Sequence, residues 1–215
     1  MADTVVLAQA VIDAGLARYK DEDETQWADA ELLAYLNKAY SFTHQLLIRQ
    51  HSPLVVTSGD LTVSTGTTSI TLATTGNLPN FWGMAPKGVY FAEVGVPLTP
   101  ISYEDKIREG TTTSDSLPTM YYLTDTEIGL ANIPTKTAIA IGTVLYCRYY
   151  KANTALSLTT AMPYKNLFNV PMGMFMDSMA FLRKKDSTEE LNQIYNILET
   201  TVLEIAHVRD AKGVA

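Results

Sequence analysis

Three histidines, one cysteine and a run of four acidic residues are the side chains in this 215-residue sequence best suited to chemistry. A nucleophilic enzyme needs a Ser or Cys beside a base that a third group orients. The bases on offer are His44, His51 and His207. His44 falls within an apolar helical pattern, His51 stands beside the break at Pro53, and His207 lies in a final helical turn, where a cation suits the negative end of the dipole. No catalytic motif surrounds any of them, so all three are expected as structural or surface side chains. Cys147, in Val144-Leu145-Tyr146-Cys147-Arg148-Tyr149, reads as a small buried hydrophobe, and a lone thiol excludes an internal disulfide. Metal spacing is missing: there is no H-x-x-x-H, no C-x-x-C and no carboxylate-rich loop with a central glycine. The run Asp21-Glu22-Asp23-Glu24 is a solvated connector, because adjacent side chains of an extended segment point apart. Residues 110–114 lack the second glycine and the Lys-Ser/Thr of a phosphate loop. The expectation is a protein that is not an enzyme and uses no cofactor or metal.

Two further groups read as packing or contact. Arg183, Lys184 and Lys185 close a helix, where cations offset the dipole, and they are also the candidate docking contact for an acidic partner. Met172, Met176 and Met179 share one helix face and suit a core, which leaves Met174 for the surface.

The composition narrows the class. Sixteen basic against 23 acidic residues give a net charge of −7, so the chain has no general attraction for nucleic acid or anionic lipid. Hydrophobic residues make up 47% and charged residues only 18%, which implies a polar but uncharged surface somewhere. The sequence shows no basic-then-apolar leader and no apolar run of membrane-spanning length, and its single thiol fits a reducing cytoplasm.

These side chains must be positioned by elements of two kinds. Apolar periodicity predicts helices over the first 16 residues and over residues 28–49, with Trp27 as a staple before the second. Another is predicted to start with Pro171 in its first turn, and the last is opened by a Ser187–Glu190 capping box and carries Leu191, Ile194, Tyr195, Leu198, Val202 and Ile205. Between them, residues 52–86 hold a single charge, Asp60. There Leu61-Thr62-Val63 and Ser69-Ile70-Thr71-Leu72 alternate around Gly66 and predict a hairpin. A second strand pair is expected around Gly95, a short helix over 102–109 closed by Gly110, and strands over 119–124, 127–131 and 139–150, with residues 111–116 as a loop able to order on a neighbour. The fold class is therefore α+β. Residues 1–51 and 152–215 form a discontinuous helical bundle, and residues 52–151 form an inserted antiparallel β-rich arm with one short helix.

The segment Trp27-Ala28-Asp29-Ala30-Glu31-Leu32-Leu33-Ala34-Tyr35-Leu36-Asn37-Lys38-Ala39-Tyr40 resembles the opening W-[ST]-D-A-E-L-L-x-Y-L-N-x-A of the head-to-tail adaptor, or connector, proteins of tailed bacteriophages. Pro118-Thr119-Met120-Tyr121-Tyr122-Leu123, Ile128-Gly129-Leu130, Ile133-Pro134 and Leu145 to Lys151 are similar to the strand motifs that follow it. Ala28 stands where that family carries a capping Ser or Thr, so the cap must shift or be lost. The resemblance implies a structural virion subunit at the head–tail junction, assembled in the host cytoplasm as a dodecameric ring. Its expected partners are further copies of itself, the portal protein and a tail or nozzle protein, with DNA passing unbound and no membrane involved.

On this reading the charge-poor arm is the intersubunit or tail contact, and Thr62, Ser69 and Thr71 are the positions expected on its outer face. The alternative is a tail accessory or receptor-binding protein with Trp82, Tyr90, Tyr121 and Tyr122 as a carbohydrate platform. A hydrolase is the third reading, and it lacks a visible nucleophile–base pair.

Overall fold

The computed structural model describes residues 6–19, 27–72, 78–110, 112–140, 142–164, 166–182 and 188–211. In chain order the elements are α1 (Ala8–Tyr19), α2 (Asp29–Arg49), β1 (Val56–Thr62), β2 (Ser69–Thr71), β3 (Phe81–Phe91), β4 (Thr99–Pro100), α3 (Tyr103–Glu109), β5 (Thr112–Ser114), β6 (Met120–Leu123), β7 (Glu127–Leu130), β8 (Asn132–Pro134), α4 (Lys136–Ile139), β9 (Val144–Lys151), α5 (Asn166–Leu182) and α6 (Thr188–Ala211). The class is α+β. The chain divides into two compact units, one of residues 1–54 with 153–215 and one of residues 55–152.

In the helical unit, α2 buries Leu32, Leu36, Ala39 and Leu47 along one face, as its apolar spacing requires. Ala28 occupies the N-cap position without a side-chain cap bond, so the cap is lost rather than shifted. The start is held instead by the Ala28 carbonyl, which accepts from the Glu31 and Leu32 N–H groups, and by the acidic first turn of Asp29 and Glu31. At the other end the Ser52 N–H donates to the Leu47 carbonyl and the His51 N–H to that of Ile48. This is the Schellman arrangement, with His51 at the left-handed position, φ 53°, that glycine usually takes. Rings tie three helices together: Tyr195 on α6 lies 5.0 Å from Phe42 on α2 and 4.9 Å from Phe175 on α5. Only five residues separate α5 from α6, a span of at most about 18 Å. A parallel return along the 17 residues of α5 would need about 25 Å, so the two run antiparallel.

The segment before α5 acts as a strap. Its Thr160 and Leu158 carbonyls accept from the Ala8 and Gln9 N–H groups, satisfying two of the orphan donors that open α1. Asn37 of α2 holds the same strap, accepting from the Leu156 N–H at 2.7 Å and donating to the Leu156 carbonyl at 3.2 Å. Pro171 is not in a first turn, because α5 begins five residues upstream of it. Phe168, fully buried and 5.7 Å from the Tyr164 ring, draws that extra turn into the core.

The β unit contains a three-stranded antiparallel sheet, β1-β9-β3, a four-stranded sheet, β2-β7-β6-β4, and a two-stranded pair, β5-β8. The arm is mixed rather than purely antiparallel, since β4 pairs with β6, and β5 with β8, in parallel. Residues 112–114, expected in a loop, are thereby ordered within the chain itself. Leu61, Val89, Phe91, Leu145, Cys147 and Tyr149 from the first sheet share one core with Leu72, Tyr121, Ile128 and Leu130.

The expected hairpin does not form. Its turn exists, with Gly66 at φ 81° and the Thr67 N–H on the Ser64 carbonyl, but β1 pairs with β9 while β2 pairs with β7. The Gly66 N–H donates to the Pro134 carbonyl, so the turn is a corner between sheets. That route lets Leu61, Val63 and Leu72 all reach one core, whereas an isolated hairpin has nothing to bury its apolar face against. The pair around Gly95 is reduced to a single antiparallel bridge, Tyr90 to Pro97. The strand expected from residue 139 starts at Val144, because the Thr135 hydroxyl accepts from the Ala138 N–H and caps a short helix there. Helix α3 is capped by Ser102 and ends at Gly110, φ 73°, and its buried Lys106 donates to the carbonyls of Gly110 and Ala131.

Candidate assembly surface

The strongest surface feature lies at the sheet margins. Among the described residues strand β1 pairs with β9 and strand β2 with β7, each standing at the margin of its sheet. Native edges are usually blunted by charges, Pro or bulges that block pairing with another chain. Here β1 carries one charge, Asp60, and β2 none. Thr62 and Thr71 are exposed and Ser69 is half-buried. The three chosen positions thus all fall on edge strands, but in two different sheets rather than on one hairpin.

Arg183, Lys184 and Lys185, the candidate docking contact, lie outside the described residues, as do the acidic run at 21–24 and Ser187. Met174 is exposed on α5 while Met172 and Met176 are buried and Met179 is half-buried, which separates the methionines as their helical spacing requires.

Of the groups singled out for chemistry, His44 and Cys147 pack in the interior, His51 is exposed, and the His207 side chain lies outside the described residues. His44 is buried on α2, and its ring Nδ1 meets the Tyr164 hydroxyl of the strap. Burial holds the Tyr164 and Tyr40 hydroxyls above the usual tyrosine range, and both stay neutral. Cys147 is fully buried in the β core, where desolvation first and the Asp60 carboxylate second push its thiol up to about 12. Among the described residues no cluster of His, Cys, Asp or Glu could hold a metal ion, and no helix is long and apolar enough to cross a membrane.

The aromatic platform is not assembled. Tyr121 is buried, Tyr122 is 5.5 Å from the Tyr103 ring and Tyr90 is 4.9 Å from that of Tyr146, while Trp82 lies in the other sheet from the tyrosine pair 121–122. Trp82 itself is a feature that composition left undistinguished. It sits on the edge strand β3 at a break in register, since Phe81 pairs with Lys151 and Gly83 with Tyr150. Its side chain is 59% exposed, against 4% for Trp27. The signal was present as Phe81-Trp82, two adjacent aromatics that a strand sends to opposite faces. Compared with models of known protein families and with characterised proteins, the sequence matches none.

Proposed function

We propose that this protein is a structural subunit that assembles into a ring between portal and tail and lets DNA pass, the role that its resemblance to head-to-tail adaptors implies. The observation that carries the reading is the pairing of two constructions in one chain. A helical unit is closed from both chain ends, with the motif Trp27 to Tyr40 opening its longest described buried face. Inserted in it is a β unit whose edge strands β1 and β2 carry a single charge between them. Such edges are a liability in an isolated monomer and are covered by a neighbour in a ring. The net charge of −7 supports passage over retention, because basic contacts to phosphate are what hold DNA.

The test is to mix the purified chain with the portal protein of the phage genome that, on this reading, encodes it and image the product by electron microscopy. A ring of added density on the portal is expected. The double variant Thr62→Lys with Thr71→Lys, both on exposed positions, should keep the helical circular dichroism and lose at least about tenfold in incorporation. No binding of the unaltered chain to portal would refute the adaptor reading. Full incorporation of the double variant would refute the role given to the two edges.

A further inference from the structure

We infer that the hollow after β3 is a docking site for a short segment of a partner protein in which an apolar side chain stands next to an arginine or lysine. The hollow, about 320 Å³, is walled by Phe91, Leu98, Leu117 and Pro118, with Val94 and Val96 at its margin. It exists because the chain turns back after β3. The Val94 and Gly95 N–H groups both donate to the Phe91 carbonyl, Gly95 takes φ 70°, and the Leu98 N–H returns to the Val89 carbonyl. Phe91 and Leu98 belong to the buried core, while Val94 is 48% and Val96 63% exposed. The volume stands at the low end of the range for ligand sites and suits one apolar side chain rather than a cofactor.

The surroundings decide the sign of charge that the occupant carries. Pro97 and Pro118 have no N–H, and the N–H groups of Val94, Gly95 and Leu98 are spent within the chain. An anion would leave water without gaining these five positions as donors, which disfavours it. The two segments that wall the hollow, residues 91–98 and 115–119, hold Glu93 and Asp115 and no basic residue. Asp115 accepts from the Thr135 hydroxyl. Glu93 is placed for a ligand: its carboxylate and the Leu117 side chain lie 2.9 and 3.3 Å from the point where a Cβ on Gly142 would stand, so the carboxylate is within about 6 Å, the sum of the two, of the wall. The Thr143 N–H first, and the Val144 N–H with it, hold the Glu93 carboxyl below the usual range and keep it ionised. Both of these bonds fall on Oε1, and a carboxylate accepts at about four lone-pair positions, which leaves room for a cationic donor.

The geometry also selects how the cation is carried. Val94 lines the hollow and adjoins Glu93 in sequence, so apolar surface continues from the hollow to the carboxylate. Arginine and lysine lay an apolar stem along such a surface and keep the charged head at its wet end. An apolar anchor and a basic residue side by side on one segment therefore satisfy the hollow, Val94 and Glu93 together. The site lies within the β unit, and its occupation does not depend on the adaptor reading.

The test follows the amide resonances of the isotope-labelled full chain as acetyl-Phe-Arg-amide is added. Saturable shifts are expected at Val94, Val96, Leu98 and Leu117. Acetyl-Ala-Arg-amide, which lacks the anchor, should bind at least about tenfold more weakly. Acetyl-Phe-Glu-amide should bind at least about fivefold more weakly, the modest factor proper to a solvent-edge charge. Glu93→Gln keeps an oxygen for the Thr143 and Val144 N–H groups and removes the charge, so it should bring the two phenylalanine peptides within about twofold of each other. Val96→Lys, at an exposed side chain, should weaken acetyl-Phe-Arg-amide at least about tenfold, and the amide spectrum of each variant shows directly that its fold is kept. Shifts that are absent or fall elsewhere, equal binding of the acidic peptide, or a gap between the two that survives Glu93→Gln overturns the site. Sedimentation of the same samples tests the other occupant: self-association of the unaltered chain that Val96→Lys removes would assign the hollow to a second copy and overturn the basic partner.

Discussion

Leu198 on α6 is 2% exposed and Ile197 beside it is 62% exposed, so two successive alanine substitutions interrogate the packing of the last helix. Leu198→Ala removes three carbons from the core, about 2.4 kcal/mol of transfer free energy at roughly 0.8 kcal/mol for each. To this is added a term for the space left behind, on the order of 24 cal/mol per Å³ where the surroundings cannot collapse. That term is small here, because a crevice of about 110 Å³ lined by Pro171, Phe175, Ile194 and Leu198 already lies alongside. The flexible Met174 at its wall can move inward. The expected cost is about 2.5–3.5 kcal/mol, or roughly 5–14 °C in Tm for a chain of this length. Ile197→Ala should change stability by less than about 0.5 kcal/mol, since it buries little and alanine favours the helix. Urea unfolding followed by helical circular dichroism measures both. Equal effects, or a Leu198→Ala cost below about 1 kcal/mol, would show that the stripe does not face α5.

The Cys147 thiol, raised from 9.0 to about 12, should resist iodoacetamide in the native protein at neutral pH and react only at the rate of unfolding; rapid native labelling refutes its placement. The unfolded chain ionises this thiol first and so binds fewer protons at high pH, which makes its contribution complete below about pH 9 and lost as pH rises toward 12. Gly129→Ala would set a Cβ 2.0 Å from the Tyr122 ring, and Gly88→Ala one 2.5 Å from the Arg148 carbonyl oxygen. Each should destabilise by about 1–3 kcal/mol. Truncating Tyr122 to Ala should abolish the cost at Gly129 and leave that at Gly88, because backbone atoms cannot be trimmed away; equal rescue at both sites would contradict the register of β3 on β9.

The faces of the long helices were legible in their spacing, though neither the start of α5 nor the four-residue α4 was: α2 ends at Arg49 as the break at Pro53 requires, and Met174 faces outward between the buried Gly173 and Phe175. Strand pairing was not, since the turn at Gly66 identifies a reversal of direction without naming the partner of either flank. That partner is about 90 residues away for β1 and about 60 for β2, set by which apolar faces reach a common core. Three-residue strands such as β5 and β8 contain too few positions to show a period of two. Of the proposed contact surface, the scarcity of charge was readable from composition, whereas the edges themselves exist only once β9 has taken up β1 and β3.

The pairing of β1 with β9 also explains how so large an insertion is tolerated. These are the first and last strands of the β unit, matched in register from Val56 with Tyr150 to Thr62 with Val144. Opposed residues of an antiparallel pair lie about 5 Å apart, so the chain leaves the helical unit and rejoins it at neighbouring points. The 98 residues between those points then present the helices with two adjoining ends instead of a long flexible loop to close. The closure entropy is met inside the β unit by its own core of Leu61, Val89, Phe91, Leu145 and Tyr149. Surface chemistry can accordingly differ between the units. The insertion holds six basic and eight acidic residues in its 98, while the other 117 residues hold ten and fifteen. Charge is therefore thinnest on the unit that holds the marginal strands β1 and β2, as the proposed pairing between copies would require.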